Sequence, residues 1–102
     1  MICISTTSNS ESILKKIASE VLKKGLSPCT HILKISQSGY IWEEEIIYEP
    51  EFRLEIKTIK SYQKKIISLI KRNHNYEVFE LYVNKINSIN DEYNTWFDKQ
   101  LK

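Results

Sequence analysis

The residue types best suited to chemistry are a thiol and an imidazole one residue apart, in Cys29-Thr30-His31. On an extended strand, positions i and i+2 project from the same face, so these two side chains would stand together. A thiolate beside an imidazole suits copper or zinc, but two ligands are only half of a site. The plainer reading is a packed cysteine next to a surface histidine. The second histidine, His74, sits in the polar stretch Asn73-His74-Asn75-Tyr76, where a solvent-facing ring is the ordinary outcome. Glu43-Glu44-Glu45 is a carboxylate run that reads as a solvated turn. Tyr40, Trp42, Tyr76, Tyr93 and Trp96 either line a pocket or pack at an interface. There is no Gly-rich phosphate loop, no G-x-S-x-G and no H-E-x-x-H. No catalytic set can be assembled, and the chain reads as a non-enzyme.

Holding these groups in place falls to a β-α-β-β-α-β order of elements. Ile2-Cys3-Ile4 reads as a short strand, and Thr6 to Ser10 offers several helix caps ahead of Glu11. Ile13, Leu14, Ile17, Ala18, Val21 and Leu22 recur at helical spacing, and Gly25 suits the position just past that helix. Residues 29–58 are almost all extended. Within them Phe52, Leu54 and Ile56 alternate with Arg53, Glu55 and Lys57, the period of a half-buried strand. Tyr62, Ile66, Ile67, Leu69 and Ile70 give a second helix, which Ser61 is expected to cap. Val78 to Val83 reads as the last strand. Asn90 caps a C-terminal helix whose first turn holds Asp91 and Glu92, with Tyr93, Trp96, Phe97 and Leu101 as its stripe. The expectation is one α+β domain over residues 1–102, a ferredoxin-like split βαβ sandwich plus a C-terminal helix.

One length does not fit an isolated globule. A hairpin over residues 29–58 has arms of about 14 residues, or roughly 45 Å. A chain of this size has a radius of gyration of only about 13 Å. The hairpin should project, with Tyr40, Trp42 and Tyr48 along it, and pairing with another subunit would cover them. Otherwise Ser36 to Gly39 and Pro50 break the arms into short strands that fold back.

Composition narrows the class of partner. The 102 residues are 41% hydrophobic and 27% charged, a globular balance. Net charge is +2, acidic residues interleave with basic ones, and only Arg53 and Arg72 of the 15 basic residues are arginine. That is a poor footprint for nucleic acid. No run approaches a membrane span. No secretory signal is visible, and two cysteines, Cys3 and Cys29, make no disulfide framework, so a cytoplasmic setting is expected.

Five segments in order resemble the CutA family of divalent-cation tolerance proteins. Leu26-Ser27-Pro28-Cys29 is similar to its L-A-A-C, Ser38-Gly39-Tyr40-Ile41-Trp42 to S-x-Y-x-W and Ile56-Lys57-Thr58 to I/L-K-T. His74-Asn75-Tyr76-Glu77-Val78-Phe79-Glu80 is similar to H-P-Y-E-x-P-E, and Tyr93-Asn94-Thr95-Trp96 to Y-x-x-W. The resemblance spans essentially the whole chain. It implies a homotrimer assembled like the nitrogen-regulatory P-II proteins, with hairpins pairing between subunits. It also implies a non-enzymatic metal-binding or signalling role in the response to copper or another divalent ion. The matching segments make Tyr40, Trp42, Lys57, Tyr76, Glu80, Tyr93 and Trp96 the candidates for interface or cleft. The family positions associated with copper fall here on Thr6 and Asn73-His74, which leaves a weak metal set of Cys29, His74 and His31. An enzyme or small-molecule site at the intersubunit clefts, using Lys57, Tyr40 or His74, and a purely structural trimer are the other readings. Two departures bear on the site. The W-E-G-K tip is here Trp42-Glu43-Glu44-Glu45, and Asn75 and Phe79 replace two prolines, which is expected to loosen the loop before the last strand.

Overall fold

A computed structural model describes all residues from Met1 to Lys102. The alternation begun by Ile2 and Ile4 carries on as strand β1, Ile2–Ser8, longer than the opening triplet suggested and buried along its whole length. Of the polar residues that follow, Ser10 is the cap of helix α1, Glu11–Lys23, its hydroxyl accepting from the Ile13 amide. Leu14, Ile17, Ala18 and Val21 form the buried face of that helix. Gly25 ends it with φ +69, while the Leu26 and Gly25 amides donate back to the Val21 and Leu22 carbonyls. A side chain at Gly25 would run into that of Lys102, whose amide donates to the Gly25 carbonyl.

Strands β2, Cys29–Trp42, and β3, Glu45–Thr58, are the two 14-residue arms expected from the sequence. A 3-10 turn, Lys60–Tyr62, leads into helix α2, Gln63–Asn73. Ser61 lies inside that turn, and neither the turn nor α2 has a side-chain cap, contrary to expectation. Strand β4 is Leu81–Lys85, and helix α3 is Asp91–Gln100. Asn90 caps α3 as expected, accepting from the Glu92 and Tyr93 amides.

The last strand begins three residues later than the sequence pattern suggested. Thr6 and Leu81 close the β1–β4 register. Beyond it the Thr7 carbonyl is taken by His74, and the Thr6 hydroxyl donates to the Glu80 carbonyl. Side chains from the preceding loop thus occupy the edge that a longer β4 would need.

The sheet is antiparallel throughout, in the order β2-β3-β1-β4, and helices α1 and α2 cover one face. This is the ferredoxin-like arrangement. Its core joins Ile2, Ile4, Leu54 and Ile56 of the sheet to Leu14, Ile17, Val21, Ile66, Leu69 and Ile70 of the helices. Full burial of each such side chain stabilises the fold by roughly 1.5–3 kcal/mol. No helix is long and apolar enough to cross a membrane.

Strand β1 reaches only as far as Phe52 along β3, so Glu45–Glu51 pair with β2 alone. The far half of the hairpin is a two-stranded ribbon standing out from the core, and the molecule measures 47 × 27 × 20 Å. Its arms do not fold back. Pro50 causes a bulge, with Ser36 and Gln37 opposing it where one residue would normally pair, because proline has no amide to give to the ladder. At the tip, Glu43 (φ 49) and Glu44 (φ 67) form a two-residue turn of the type I′ pattern.

Candidate functional site

The register places the candidate residues on the sheet face that α1 and α2 leave uncovered. Side chains of directly paired residues share a face, so Cys29, Lys57, Cys3 and Asn84 form one row across the four strands. His31, Glu55, Ser5 and Tyr82 form the next, followed by Leu33, Arg53 and Thr7. Farther out come Ile35 and Glu51, Ser38 and Glu49, Tyr40 and Ile47, and Trp42 and Glu45.

The outer rows and the loop from His74 to Glu80 enclose an open cleft of about 980 Å³. Tyr40, Trp42, Tyr76 and Glu80, four of the residues singled out in sequence, meet there. Glu51 is 6% exposed, and one of its oxygens accepts from the Tyr76 hydroxyl at 2.7 Å. The Asn9 amide donates to the same hydroxyl at 2.8 Å. Burial, then the bond to Glu51, pushes the Tyr76 phenol far above its ordinary value, so it stays a neutral donor. Beside it the Tyr40 hydroxyl donates to Glu49 at 2.7 Å, and that bond foremost raises its pKa. Arg53 is held by Glu80 at 3.3 Å and by the Tyr82 hydroxyl at 2.9 Å, over whose ring it also lies.

His74 is not the solvent-facing ring of the sequence reading. Its Nε2–H donates to the Thr7 carbonyl at 2.9 Å, and its Nδ1 accepts from the Tyr76 amide at 3.0 Å. A carbonyl can only accept and an amide only donate, so the ring is neutral with its proton on Nε2. Burial lowers its pKa, against smaller opposing effects from Thr7 and Glu51. Phe79 stacks on it with ring centres 4.2 Å apart. Nor is the loop loosened by its missing prolines. Asn75 binds both Ser8 and Asn9 through its side chain, and Phe79 is anchored by the stack.

The opposite end of the face holds the rest. The Lys57 ammonium donates to His31 Nδ1 at 3.0 Å. Tyr93 of α3 lies against Cys29, and burial, with the neighbouring thiol adding to it, raises the phenol's pKa. Trp96 stays 43% exposed, tilted against Tyr93 at 5.5 Å. Lys57, Tyr93 and Trp96 are therefore outside the cleft that holds Tyr40, Trp42, Tyr76 and Glu80, and Lys57, Tyr40 and His74 do not converge on one reacting atom.

The expected metal set of Cys29, His31 and His74 does not come together. Cys29 pairs at Lys57 and Thr7 at Arg53, four residues apart on β3, so His74 lies roughly 13 Å along the sheet from Cys29. Both His74 nitrogens are engaged, and His31 has a cation on its Nδ1. Thr6 is fully buried and spends its hydroxyl on Glu80. No three His, Cys, Asp or Glu side chains cluster as a metal site would require. These residues do not fit a bound transition metal.

Sequence reasoning missed Glu49, Glu51 and Arg53. The signal was present, since alternate charged residues in an otherwise apolar strand must share one face. What closes over them, Tyr76 from a distant loop, left no local signature.

Comparison with known proteins covers the same span. A family model described as CutA1 divalent ion tolerance protein matches residues 2–100. A divalent-cation tolerance protein CutA from Pectobacterium atrosepticum is 26% identical over 101 residues, covering 99% of this chain and 92% of its own. Among solved structures, a divalent cation tolerance protein from Thermus thermophilus superposes with TM-score 0.88 at 27% identity, covering 100% of both chains. One described as the periplasmic divalent cation tolerance protein CutA from Archaeoglobus fulgidus gives 0.90 at 26%, again over 100% of both.

Proposed function

The chain belongs to the CutA1 divalent ion tolerance family, and from that premise we propose that it acts in the response to metal ions as a non-enzymatic binding or signalling protein, assembled as a homotrimer. The observation that carries this reading is the outer hairpin. It is two-stranded, with unpaired edges on both sides, and it leaves Ile41 at 74%, Ile46 at 67% and Tyr48 at 64% exposed. Apolar side chains on an open ribbon invite pairing with another copy of the chain. Three copies are what the resemblance to the family implies.

Copper or another divalent ion, on this reading, binds weakly and is not needed for folding, since the available ligands are dispersed or already engaged. The protein works in the cytoplasm. Cys3 and Cys29 flank Lys57 two strands apart, about 10 Å, beyond the reach of a disulfide. Both are free, as a reducing compartment would keep them.

Native mass spectrometry of protein purified without chelator tests assembly and metal together. The expected result is a trimer of the 12.1 kDa chain carrying no stoichiometric metal. A monomer at micromolar concentration would refute the assembly, and one retained copper or zinc per chain would refute weak binding.

A further inference from the structure

We propose that a basic hollow on the helical layer, between α2 and the turn that ends α1, binds a polyphosphate anion. This goes beyond the metal response proposed above. It does not depend on the assembly, because none of the residues lining the hollow lies on the hairpin.

The charge pattern points to an anion. Acidic and basic residues interleave along most of the chain. Between Ile56 and Tyr76, however, Lys57, Lys60, Lys64, Lys65, Lys71 and Arg72 occur without one acidic residue. Lys64, Lys65 and Arg72, together with Lys24, line an open hollow of about 490 Å³ that no carboxylate lines. Of these four cations only Lys24 reaches a carboxylate, that of Glu20 at 3.8 Å. The charge is not offset within the helix either. Lys64 and Lys65 stand in the first turn of α2, where the helix dipole opposes a cation, and that turn has neither an acidic residue nor a side-chain cap. An anion held between these lysines and Arg72 relieves the repulsion and takes charge-assisted hydrogen bonds from all of them.

Shape narrows the kind of anion. Lys64, Ser68 and Arg72 follow one another at i, i+4 and i+8, so they form a stripe about 12 Å long on one side of α2. Lys65 flanks the stripe, its ammonium 5.9 Å from the centre of the Tyr62 ring, and Lys24 stands across from it at the end of α1. The buried side chains of Leu26 and Leu69 form the floor, along which the lysine stems can lie while their charged ends stay at the rim. An extended acidic peptide sets the carboxylates of one face about 7 Å apart, so it offers only about two over this length. A polyphosphate carries charge on every phosphate, which matches four cations around one hollow. The guanidinium fork of Arg72 suits a pair of phosphate oxygens, and Ser68 adds a hydroxyl between the arginine and Lys64.

The test is isothermal titration calorimetry of the full-length protein with sodium tripolyphosphate near neutral pH, in buffer free of divalent metal. Saturable binding is expected. The double variant Lys64→Gln and Arg72→Gln should weaken it about tenfold or more, since both cations would contact the phosphates. Lys16→Gln with Lys71→Gln removes the same charge from exposed positions outside the hollow, and should leave the affinity within about threefold, because screening weakens distant charges. All four side chains are exposed, and unchanged thermal melting shows that each variant is folded like the parent. ATP titrated in parallel distinguishes the triphosphate of a nucleotide from a free chain by whether the nucleoside strengthens binding, and either result supports the proposal. An equal loss in the two double variants would reduce the effect to the diffuse field of the helical layer and overturn the proposal. Tighter binding of an oligoglutamate than of tripolyphosphate would assign the hollow to an acidic polypeptide and overturn it as well, as would the absence of heat at millimolar tripolyphosphate.

Discussion

Strands β2 and β3 run unbroken through two different environments. In the inner half, Phe52, Leu54 and Ile56 of β3 pair with β1 and pack under the helices, and Leu54 and Ile56 are fully buried. In the outer half, Ile46 and Tyr48 alternate in the same way, yet both are more than half exposed. The residue types are nearly the same. The difference is the neighbour, because β1 stops at Ser8 and neither helix extends over the ribbon. Alternation specifies which side of a strand wants cover, and only the rest of the chain, or another copy of it, provides that cover.

The comparison breaks most sharply at Leu54. Leu54→Ala removes a fully buried side chain between sheet and helices, and should cost about 2–5 kcal/mol of unfolding free energy. Denaturant titration at fixed protein concentration measures it. A loss below about 1 kcal/mol would mean that the inner half is as loosely covered as the outer.

Trp42→Ala is the outer counterpart. The ring is 49% exposed in the single chain, so its removal should leave the fold intact. If a second subunit buries it, assembly weakens by about 2 kcal/mol or more, as buried tryptophans at interfaces commonly do. Light scattering across a dilution series reads this directly. Unchanged mass and melting temperature would return Trp42 to the solvent surface.

A smaller effect sharpens the contrast at the tip. Glu43 and Glu44 both sit at positive φ, where a side chain costs about 1 kcal/mol or more per residue relative to residues that favour the region. Replacing the pair with Asn-Gly, the preferred type I′ sequence, should stabilise the protein by about 1 kcal/mol without touching the core. A decrease in melting temperature would show that the acidic tip is held by contacts beyond the chain.

Much of this contrast was legible beforehand. The 14-residue arms followed from a nearly all-extended stretch with a single interior glycine, and Ser10, Gly25 and Asn90 mark helix ends by mechanisms confined to a few residues. Misreadings arose where the deciding partner is distant. Val78 has β propensity, but the Thr7 carbonyl it would lie near is taken by His74. Ser61 is a good cap by type, but a 3-10 turn leads the chain into α2 instead. Cys29 and His31 do share a face, but sequence spacing could not show that Lys57 stands beside His31, or that His74 is fixed at the other end. Family resemblance grouped Tyr40, Trp42, Tyr76 and Glu80 with Lys57, Tyr93 and Trp96, which lie outside the cleft, while Glu51, which bonds to Tyr76, was found only in three dimensions.

The smallest expected effect lies at the seam between the two halves, where His74 fastens the loop to the end of β1. Burial lowers its pKa below the ordinary 6.5, so in the folded protein the ring stays neutral in a range where the unfolded chain already takes up a proton. The unfolded state binds more protons there, and stability therefore rises with pH across that range. The contribution is fully present above about pH 6.5 and is lost as the pH falls toward the depressed folded value. Protonation also turns Nδ1 into a donor facing the Tyr76 amide, which itself donates. His74→Gln keeps a donor for the Thr7 carbonyl but does not titrate. Between pH 7 and pH 5 the melting temperature of the parent should fall more steeply than that of this variant, with other acid titrations common to both. Parallel curves would mean that the ring titrates alike folded and unfolded, and that the Thr7 and Tyr76 bonds do not hold it neutral.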